Sequence, residues 1–497
     1  MPEVQPRLSL QLKNKHIIHL SHRDSKSGVR FRSLYAWILP GFWIILVVCT
    51  LGPDYQRPTA QVSAGWRWKP AQPSDHVPRG TWWQVFEEPT LNRLQEQAAE
   101  ANQDLKAAFA RVEQARSTAR LRRADLFPTL DANPEWNRFR SSGNAPTPIG
   151  VTVPSFQIDT WRVPFDLSYE VDLWGRIRRS FESARNQALG AVAAHQSVLL
   201  TLQADVAAHY FTLQTIKQEE ALLGEAIQIR REALSIFEQR AKAGLGNEFE
   251  VQRAQVEVAT AEAELGAVGR RQAEALHALA VLCGQSPQGF DLEISLPSGR
   301  LPLISADLPS TLLERRPDVA EAERHLAARN AEIGVAKTAF FPTLRLTGNG
   351  GLQSGDLANL FEWDSRTWTF GPSLEVPVFQ AGRGRANLDR ARAAYEEAVA
   401  VYRQRLLVAF REVDDSLAAL HFLGQQAAAR QVAANAASKA ARLSMNRYTA
   451  GAVNFLEVVD SEQARLQSEL SRVRVTHEQL LATVRLIKAL GGGWAEN

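Results

Sequence analysis

Two windows of this chain alternate apolar and polar residues with a period of two. They lie at 162–172 and 367–378. Their apolar members are Val163, Phe165, Leu167, Tyr169 and Val171 in the first window, and Trp368, Phe370, Pro372, Leu374, Val376 and Val378 in the second. This alternation predicts β-strands with one apolar and one polar face. Weaker partner strands precede them at 129–140 and 343–353, so the sequence predicts two β-hairpins, about 129–172 and about 343–379.

Each predicted strand has about ten residues, which is enough to cross a bilayer at a tilt. Four strands are too few to close a barrel, and open strand edges do not persist in lipid. If the hairpins lie in a membrane, several chains must therefore share one barrel, and three chains would supply twelve strands. The alternation also fits a soluble four-stranded sheet with one wet face, and the pattern alone leaves both interpretations open.

Long helical segments follow each hairpin. Segments 175–243 and 383–449 contain no proline and repeat apolar residues at three- and four-residue steps. At 1.5 Å per residue, each predicts a helix of about 100 Å. Each helix ends at a glycine in the C-cap position, Gly244 or Gly451, and a second helix then returns. The sequence therefore predicts two antiparallel helical hairpins with matched tips.

These elements occur twice because the sequence itself is repeated. The motif LFPTL at 126–130 returns as FFPTL at 340–344, and RAKAG at 240–244 returns as RYTAG at 447–451. The offset of about 207 residues far exceeds a solenoid unit, so a whole substructure is duplicated. Shorter helices, predicted at 91–125 and 310–339, lead into the two β-hairpins. Two similar halves that share one surface suggest a ring or a tube.

The N-terminal region has the order of a secretory leader. Residues 36–51 form a strongly apolar run that follows two arginines and is short for a transmembrane helix. The run ends at Cys49, as in a bacterial lipoprotein signal whose cysteine is acylated, although Val48 stands where such signals carry Gly, Ala or Ser. An uncleaved or differently cleaved leader is the alternative. The long polar stretch before the run suggests that translation begins near Val29.

Composition and motifs argue against other classes of function. A net charge of +3 with 22% charged residues predicts no nucleic-acid partner. The two cysteines build no disulfide framework or metal cluster, and Cys283 is expected to be a small buried residue. Nucleophile turns, Walker loops and His-Glu-x-x-His motifs are absent, so neither an enzyme nor a cofactor is predicted. The adjacent pairs Glu219-Glu220 and Asp414-Asp415 are expected to be solvated helix carboxylates.

Six motifs in a fixed order carry a family resemblance. They are CTLGPDYQRP at 49–58, WWQVF at 82–86, ANQDL at 101–105, YEVDLWGR at 169–176, RPDV at 316–319, and the stretch 333–342. With these motifs the chain resembles the TolC-type outer membrane efflux factors, specifically the lipoprotein (NodT-like) branch that serves tripartite drug-efflux pumps. The resemblance covers about residues 49–490.

The resemblance implies a mainly α-helical fold with a membrane β-barrel. Three chains would form a homotrimer with a twelve-stranded outer membrane β-barrel, four strands per chain. This barrel would continue into a twelve-helix α-barrel that projects into the periplasm and is girdled by an equatorial region. The implied partners are a periplasmic adaptor, an inner membrane transporter and outer membrane lipid. The implied function is a passive gated conduit for small molecules; a type I protein-secretion conduit and a structural coiled-coil protein of the envelope are the alternatives.

The same resemblance gives an expected domain organisation. The expected segments are a leader at 1–48, an N-terminal equatorial segment at 49–90, a first repeat at 91–284 with its helical hairpin at 175–283, an equatorial linker at 285–309, a second repeat at 310–490 with its helical hairpin at 383–490, and a tail at 491–497.

The motif match also implies site residues at the two helical tips, 240–255 and 447–463. Leu456 and Asp460 align with the positions that narrow the family's pore. Three copies of Asp460 would form a ring of like charge, and Leu456 an apolar constriction. The alternative is that Asp460 is a solvated carboxylate paired with Arg253 or Arg465.

The tips also carry candidate contacts for the adaptor. The resemblance assigns this role to Arg240 and Gly244 at the first tip and to Arg447 and Gly451 at the second. The two arginines are equally well explained as cations favoured by the dipole at a helix C-terminus. The two glycines form the turns under either interpretation.

Overall fold

The computed structural model describes residues 50–58, 80–144, 154–295, 302 and 316–492. The chain divides between Val48 and Cys49 into two units, and the description concerns the second. The expected leader and Cys49 lie outside the described residues. Among the described helices, none combines the length and the apolarity needed to span a membrane.

The described residues contain seven α-helices and five strands. The helices are α1 Pro89–Ala101, α2 Gln103–Ala124, α3 Arg176–Lys242, α4 Glu248–Leu282, α5 Pro317–Thr338, α6 Arg383–Thr449 and α7 Phe455–Ala489. Helices α3 and α6 have 67 residues each, and α4 and α7 have 35 each. At 1.5 Å per residue, α3 and α6 are about 100 Å long, as the absence of proline predicts.

The helix expected at 91–125 is instead two helices that break at Asn102. Its side-chain carbonyl accepts a hydrogen bond from the Leu105 amide at 2.9 Å and so caps α2. Its side-chain amide donates to the Leu282 carbonyl at the end of α4, also at 2.9 Å. One asparagine therefore begins α2 and fixes it to the far end of the first helical hairpin.

The strands form one antiparallel sheet. They are β1 Thr129–Ala132, β2 Glu135–Arg140, β3 Gln157–Val171, β4 Thr343–Ser354 and β5 Arg366–Glu375. Both β1 and β2 pair with β3, β3 pairs with β4, and β4 pairs with β5. The first predicted strand is interrupted at Asn133-Pro134, where proline lacks the amide for the ladder.

Two predictions about the sheet need correction or extension. The alternation predicted a last strand that continues to Val378, but β5 ends at Glu375, before Pro377. The long β3–β4 ladder, from Trp161 opposite Ser354 to Val171 opposite Leu344, joins the two halves of the chain. The alternating pattern gave no indication of this pairing.

The strands meet the long helices at a junction that the N-terminal segment 50–58 covers. The Leu51 amide donates to the Trp174 carbonyl at 3.0 Å, and the Trp174 indole donates to the Pro342 carbonyl at 2.7 Å. Gly175 has φ +80°, and an added Cβ there would lie 2.6 Å from the Thr50 methyl. The first residues of the expected equatorial segment 49–90 therefore lie at the strand–helix junction.

The main core surrounds the middle of α3. Trp82, in a short 3-10 turn over Trp82–Phe86, is fully buried and donates from its indole to Gln203 at 3.1 Å. The Tyr210 hydroxyl donates to the buried Glu88 carboxylate at 2.8 Å. The described parts of segments 80–101 and 285–295 thus pack around the centre of the long helix.

One buried carboxylate within this core connects three helices. Glu219 on α3 is 1% exposed and accepts from Arg271 of α4 at 2.5 Å and from Arg474 of α7 at 2.8 Å. The expectation that Glu219 is solvated is therefore wrong, whereas its neighbour Glu220 is exposed. Adjacent residues point about 100° apart on a helix, so only one of the two faces the packed helices.

We expect Glu219→Gln to destabilise the protein by about 2 kcal/mol, because a charge-assisted double contact becomes a neutral one. Thermal loss of the helical circular dichroism signal in detergent measures the change. Glu220→Gln is the matched control, with an unchanged midpoint. Equal midpoints for both variants would contradict the role assigned to Glu219.

Candidate functional site

The two helical hairpins end in turns of nearly identical geometry. At the first tip Gly244 has φ +71°, and the Leu245 amide donates to the Arg240 carbonyl at 2.8 Å. At the second tip Gly451 has φ +72°, and the Ala452 amide donates to the Arg447 carbonyl at 2.8 Å. Both turns satisfy the last helix carbonyls through a left-handed residue, which is glycine because other residues are strained there.

An aromatic cluster joins the two hairpins just above the tips. Phe455, the first residue of α7, lies edge-on to Phe237 of α3 at 4.8 Å and to Tyr448 of α6 at 5.1 Å between ring centroids. Val458 is fully buried in the same cluster. Phe455 was missed from the sequence, although it follows Asn454, a helix-capping residue type, and begins the apolar face of α7.

The structure decides between the two predicted partners of Asp460. The nearest Arg253 nitrogen of α4 lies 3.7 Å from the Asp460 carboxylate, which is 66% exposed. Arg465 instead bonds to Glu462 at 2.6 Å and to Glu225 at 3.2 Å. Asp460 therefore faces the other hairpin of the same chain, in a loose and solvated ion pair.

Leu456 lies beside this pair, at the edge of a cavity between the hairpins. The cavity has a volume of about 210 Å³ and is lined by residues of α3, α4 and α7, including Phe249, Arg253 and Val459. Leu456 is 39% exposed, so its side chain is shared between the cavity wall and the solvent. The tip thus brings Leu456 and Asp460 together, one turn apart on α7.

The two tip arginines differ in their surroundings. Arg447 donates to Glu457 at 2.8 Å and so closes the second tip. Arg240 makes no ion pair within the described part of the chain. Arg240 therefore has its charge available for a partner, whereas Arg447 is partly neutralised within its own tip.

The described residues contain no group of histidine, cysteine and acidic side chains that could hold a metal ion. Cys283 is fully buried, as expected, and burial raises the pKa of its thiol to about 11. A thiol with this pKa stays protonated at neutral pH and is a poor nucleophile.

Comparison with known proteins decides the family. The family model described as outer membrane efflux protein matches residues 94–285 and 308–492. The chain belongs to the outer membrane efflux protein family. This efflux protein is 35% identical to the solvent efflux pump outer membrane protein SrpC of Pseudomonas putida, over 94% of the chain and 99% of SrpC.

Solved structures agree with this family. The CmeC outer membrane channel of Campylobacter jejuni matches with a TM-score of 0.84 at 25% identity, over 90% of this chain and 95% of CmeC. The MtrE outer membrane channel of Neisseria gonorrhoeae, solved in its open state, matches with a TM-score of 0.81 at 30% identity, over 90% of this chain and 98% of MtrE. The prediction of an outer membrane efflux channel component, in a family that is not an enzyme class, is confirmed.

We expect Gly451→Ala to lower the free energy of local unfolding of the second tip of this efflux protein by about 1 kcal/mol, because alanine is strained at positive φ. No atom lies within 4 Å of the position of an added Cβ, so the strain is purely that of the backbone. Faster amide hydrogen exchange over 447–454 measures it. The control is Gly424→Ala within α6, where the Cβ also meets open space and alanine is expected to stabilise the helix.

Proposed function

We propose that three copies of this chain form one passive, gated conduit from the periplasm to the outside of the cell. The observation that carries the proposal is the pair of open sheet edges. Within the described chain, β1 and β2 pair only with β3, and β5 pairs only with β4. In lipid these edges require partners, since unpaired backbone groups cost several kcal/mol each, and neighbouring copies can supply them.

The exposed side chains of the sheet support a membrane position. The apolar residues Phe165 and Leu167 are exposed along β3, while Asp166 between them bonds to Asn349 of β4. A lipid-facing apolar side and a polar interior are the arrangement of an outer membrane barrel. Four strand positions per chain give twelve strands in a homotrimer.

The helices support an α-barrel of the same stoichiometry. Near the strands, α2, α3, α5 and α6 pack side by side in that order. Toward the tips the four helices are those of the two hairpins, with α7 packed against both α3 and α6. Four helices at each level give twelve around a threefold axis. This proposal retains the expected boundaries at 91–284 and 310–490.

We propose that the tips form the periplasmic gate. Three Leu456 side chains would make an apolar constriction, and three Asp460 carboxylates a ring that favours cations. Each Asp460 would be held toward its own first hairpin by Arg253. Arg240, Gly244, Arg447 and Gly451 present the surface that meets a periplasmic adaptor, and the less neutralised Arg240 is the stronger candidate for an ionic contact.

The partners and the cargo follow from the family. An outer membrane efflux protein completes a tripartite pump with a periplasmic adaptor and an inner membrane transporter, where energy is spent. SrpC is named for solvent efflux. That name favours small apolar molecules as cargo over the proteins that a type I secretion conduit would carry.

We expect the double substitution Leu456→Ala and Asp460→Ala to raise single-channel conductance severalfold and to lower cation selectivity, because it removes the constriction and the charged ring. Planar bilayers measure both, with the oligomeric mass determined on the same detergent-solubilised sample. Leu407→Ala with Asp415→Ala is the matched control, since both residues are exposed far from the tips. A monomer without conductance would overturn the conduit itself, and unchanged conductance would put the gate elsewhere.

Acylation of Cys49 is proposed as the anchor of the N-terminus. Its neighbour Thr50 packs against Gly175 at the strand–helix junction, which is where a lipid anchor needs to leave the protein. We expect mass spectrometry of the membrane-extracted protein to find an acylated N-terminus at Cys49. Cys49→Ser abolishes the lipid, whereas Cys283→Ser retains it. An unmodified N-terminus at another residue would contradict the anchor.

A further inference from the structure

A groove between α2 and α3 lies directly below the strand–helix junction. Its rim carries Arg116, Arg120 and Arg123 of α2 and Arg185 of α3. Its floor is apolar, with Phe181 and Leu189 of α3 among its residues. We infer that this groove binds the headgroup of an anionic phospholipid of the membrane. The inference rests on the proposed membrane position of the sheet.

The charges of the groove are largely uncompensated. Of its four arginines only Arg116 has a carboxylate partner within the described residues, Glu113 at 2.9 Å. Arg120 donates to the Ser117 hydroxyl, and Arg123 and Arg185 make no ion pair in the described chain. Outside the groove, arginines of the same helices do pair, as Arg178 does with Asp172. Converging cations without counter-charges favour an anionic ligand.

The shape of the groove fits an amphiphile better than a free anion. Its volume is about 390 Å³, within the usual range of small-ligand sites. Its apolar lining includes Phe181, which lies about 8 Å along α3 from its first residue and so at the level of Arg120. A phospholipid fits this upper end, because its phosphate meets the guanidinium groups of Arg120 and Arg123 while its glycerol and first methylenes cover Phe181.

The depth of the groove matches the headgroup layer. Exposed apolar side chains extend from the strands to the strand–helix junction, where Phe127 and Leu130 are each more than 60% exposed. In the proposed membrane position the hydrocarbon layer of the bilayer therefore ends near the last residue of α2. With a helical rise of 1.5 Å, Arg123 and Arg120 lie about 2 Å and about 6 Å below that residue. The interfacial layer of a bilayer is roughly 5–8 Å thick on each side, so both arginines fall within it. Arg116 lies about 12 Å below the end of α2 and Arg185 about 14 Å below the start of α3, so the upper end of the groove, with Arg120 and Arg123, is the part at the level of the headgroups.

The groove lies on the face of the wall that carries the N-terminal segment. Glu182 lies on α3 between Arg179 and Arg185, about 60° around the helix from each, so both arginines border the side of α3 that carries Glu182. Arg179 bonds to Glu182 and to Asp54 of segment 50–58, both at 2.8 Å. That segment leads to Cys49, whose proposed acyl chains enter the bilayer. The groove is therefore on the outer surface and not in the pore.

The experiment compares four probes on the full, detergent-solubilised protein. They are dioctanoyl phosphatidylglycerol, dioctanoyl phosphatidylcholine, inorganic phosphate and a soluble muropeptide. Calorimetric titration at low salt measures each affinity. We expect phosphatidylglycerol to bind at least tenfold more tightly than the other three, with an affinity that falls as salt is raised.

Substitutions assign the binding to the groove. We expect Arg120→Gln with Arg123→Gln to weaken phosphatidylglycerol binding about 30-fold, since each cation near a lipid surface contributes about fivefold. The matched control is Arg111→Gln with Arg411→Gln, which removes the same charge outside the groove and leaves the affinity unchanged. Oligomeric mass and single-channel conductance are measured on both variants to show that they assemble.

The outcomes separate this inference from the proposed function. The site would be overturned if both variants lost the same affinity for phosphatidylglycerol, or if phosphatidylcholine bound as tightly as phosphatidylglycerol. Phosphate binding as tightly as lipid would reduce it to a general anion site, and preferred muropeptide binding would assign it to the cell wall; either result overturns the lipid proposal. A conducting trimer that binds no lipid leaves the conduit intact, whereas an unmodified protein without conductance would overturn the conduit on its own.

Discussion

The buried contact of Glu219 with Arg271 and Arg474 is the interaction on which the helical assembly depends. Helices of 67 residues cannot form a globular core, so their packing has to be fixed at intervals along their length. The main core supplies that packing through large apolar side chains around the middle of α3, and it continues past Glu219 to Leu223 and Ala226. Within this core one carboxylate, that of Glu219, joins α3 to both returning helices. Breaking it would leave a buried charge without partners, a cost that burial makes large.

From about Ala226 of α3 toward the tips the main core ends, and the two hairpins are joined by a few separate contacts. Arg465 reaches Glu225, Arg253 approaches Asp460, and the Phe455 cluster closes the end. Solvated ion pairs of this kind contribute at most about 1 kcal/mol each. The tips are therefore the part of the molecule where one hairpin can move against the other at low cost, while the Glu219 contact keeps the upper wall fixed. This contrast in stability is what a gate at the end of a rigid tube requires.

The sequence predicted the parts of this structure that local rules govern. Helices α3 and α6 follow from apolar periodicity without proline, and their tips follow from Gly244 and Gly451. The break at Asn102 was missed although the cap that Asn102 places on the Leu105 amide is local; only its contact with Leu282 is distant in sequence. Glu219 was misjudged for the same reason, since a Glu-Glu pair on a helix is usually solvated and only tertiary packing buries one member. At the tip, the pattern named both possible partners of Asp460 but could not choose between them, because the choice depends on where α4 lies beside α7.

The open sheet edges and the exposed groove have a common physical origin. In the proposed trimer each chain contributes one part of a ring, so some of its polar groups are left for the next copy and others for the membrane. The backbone groups of β1, β2 and β5 require hydrogen bonds that only another strand can give in lipid. The guanidinium groups of Arg120 and Arg123 have no carboxylate partner within the described chain, and in the proposed membrane position they lie at the level of the lipid phosphates. The unpaired backbone groups and the unpaired guanidinium groups therefore have complementary partners in the proposed assembly. Neighbouring copies would pair with the strands, and lipid headgroups would bind the arginines.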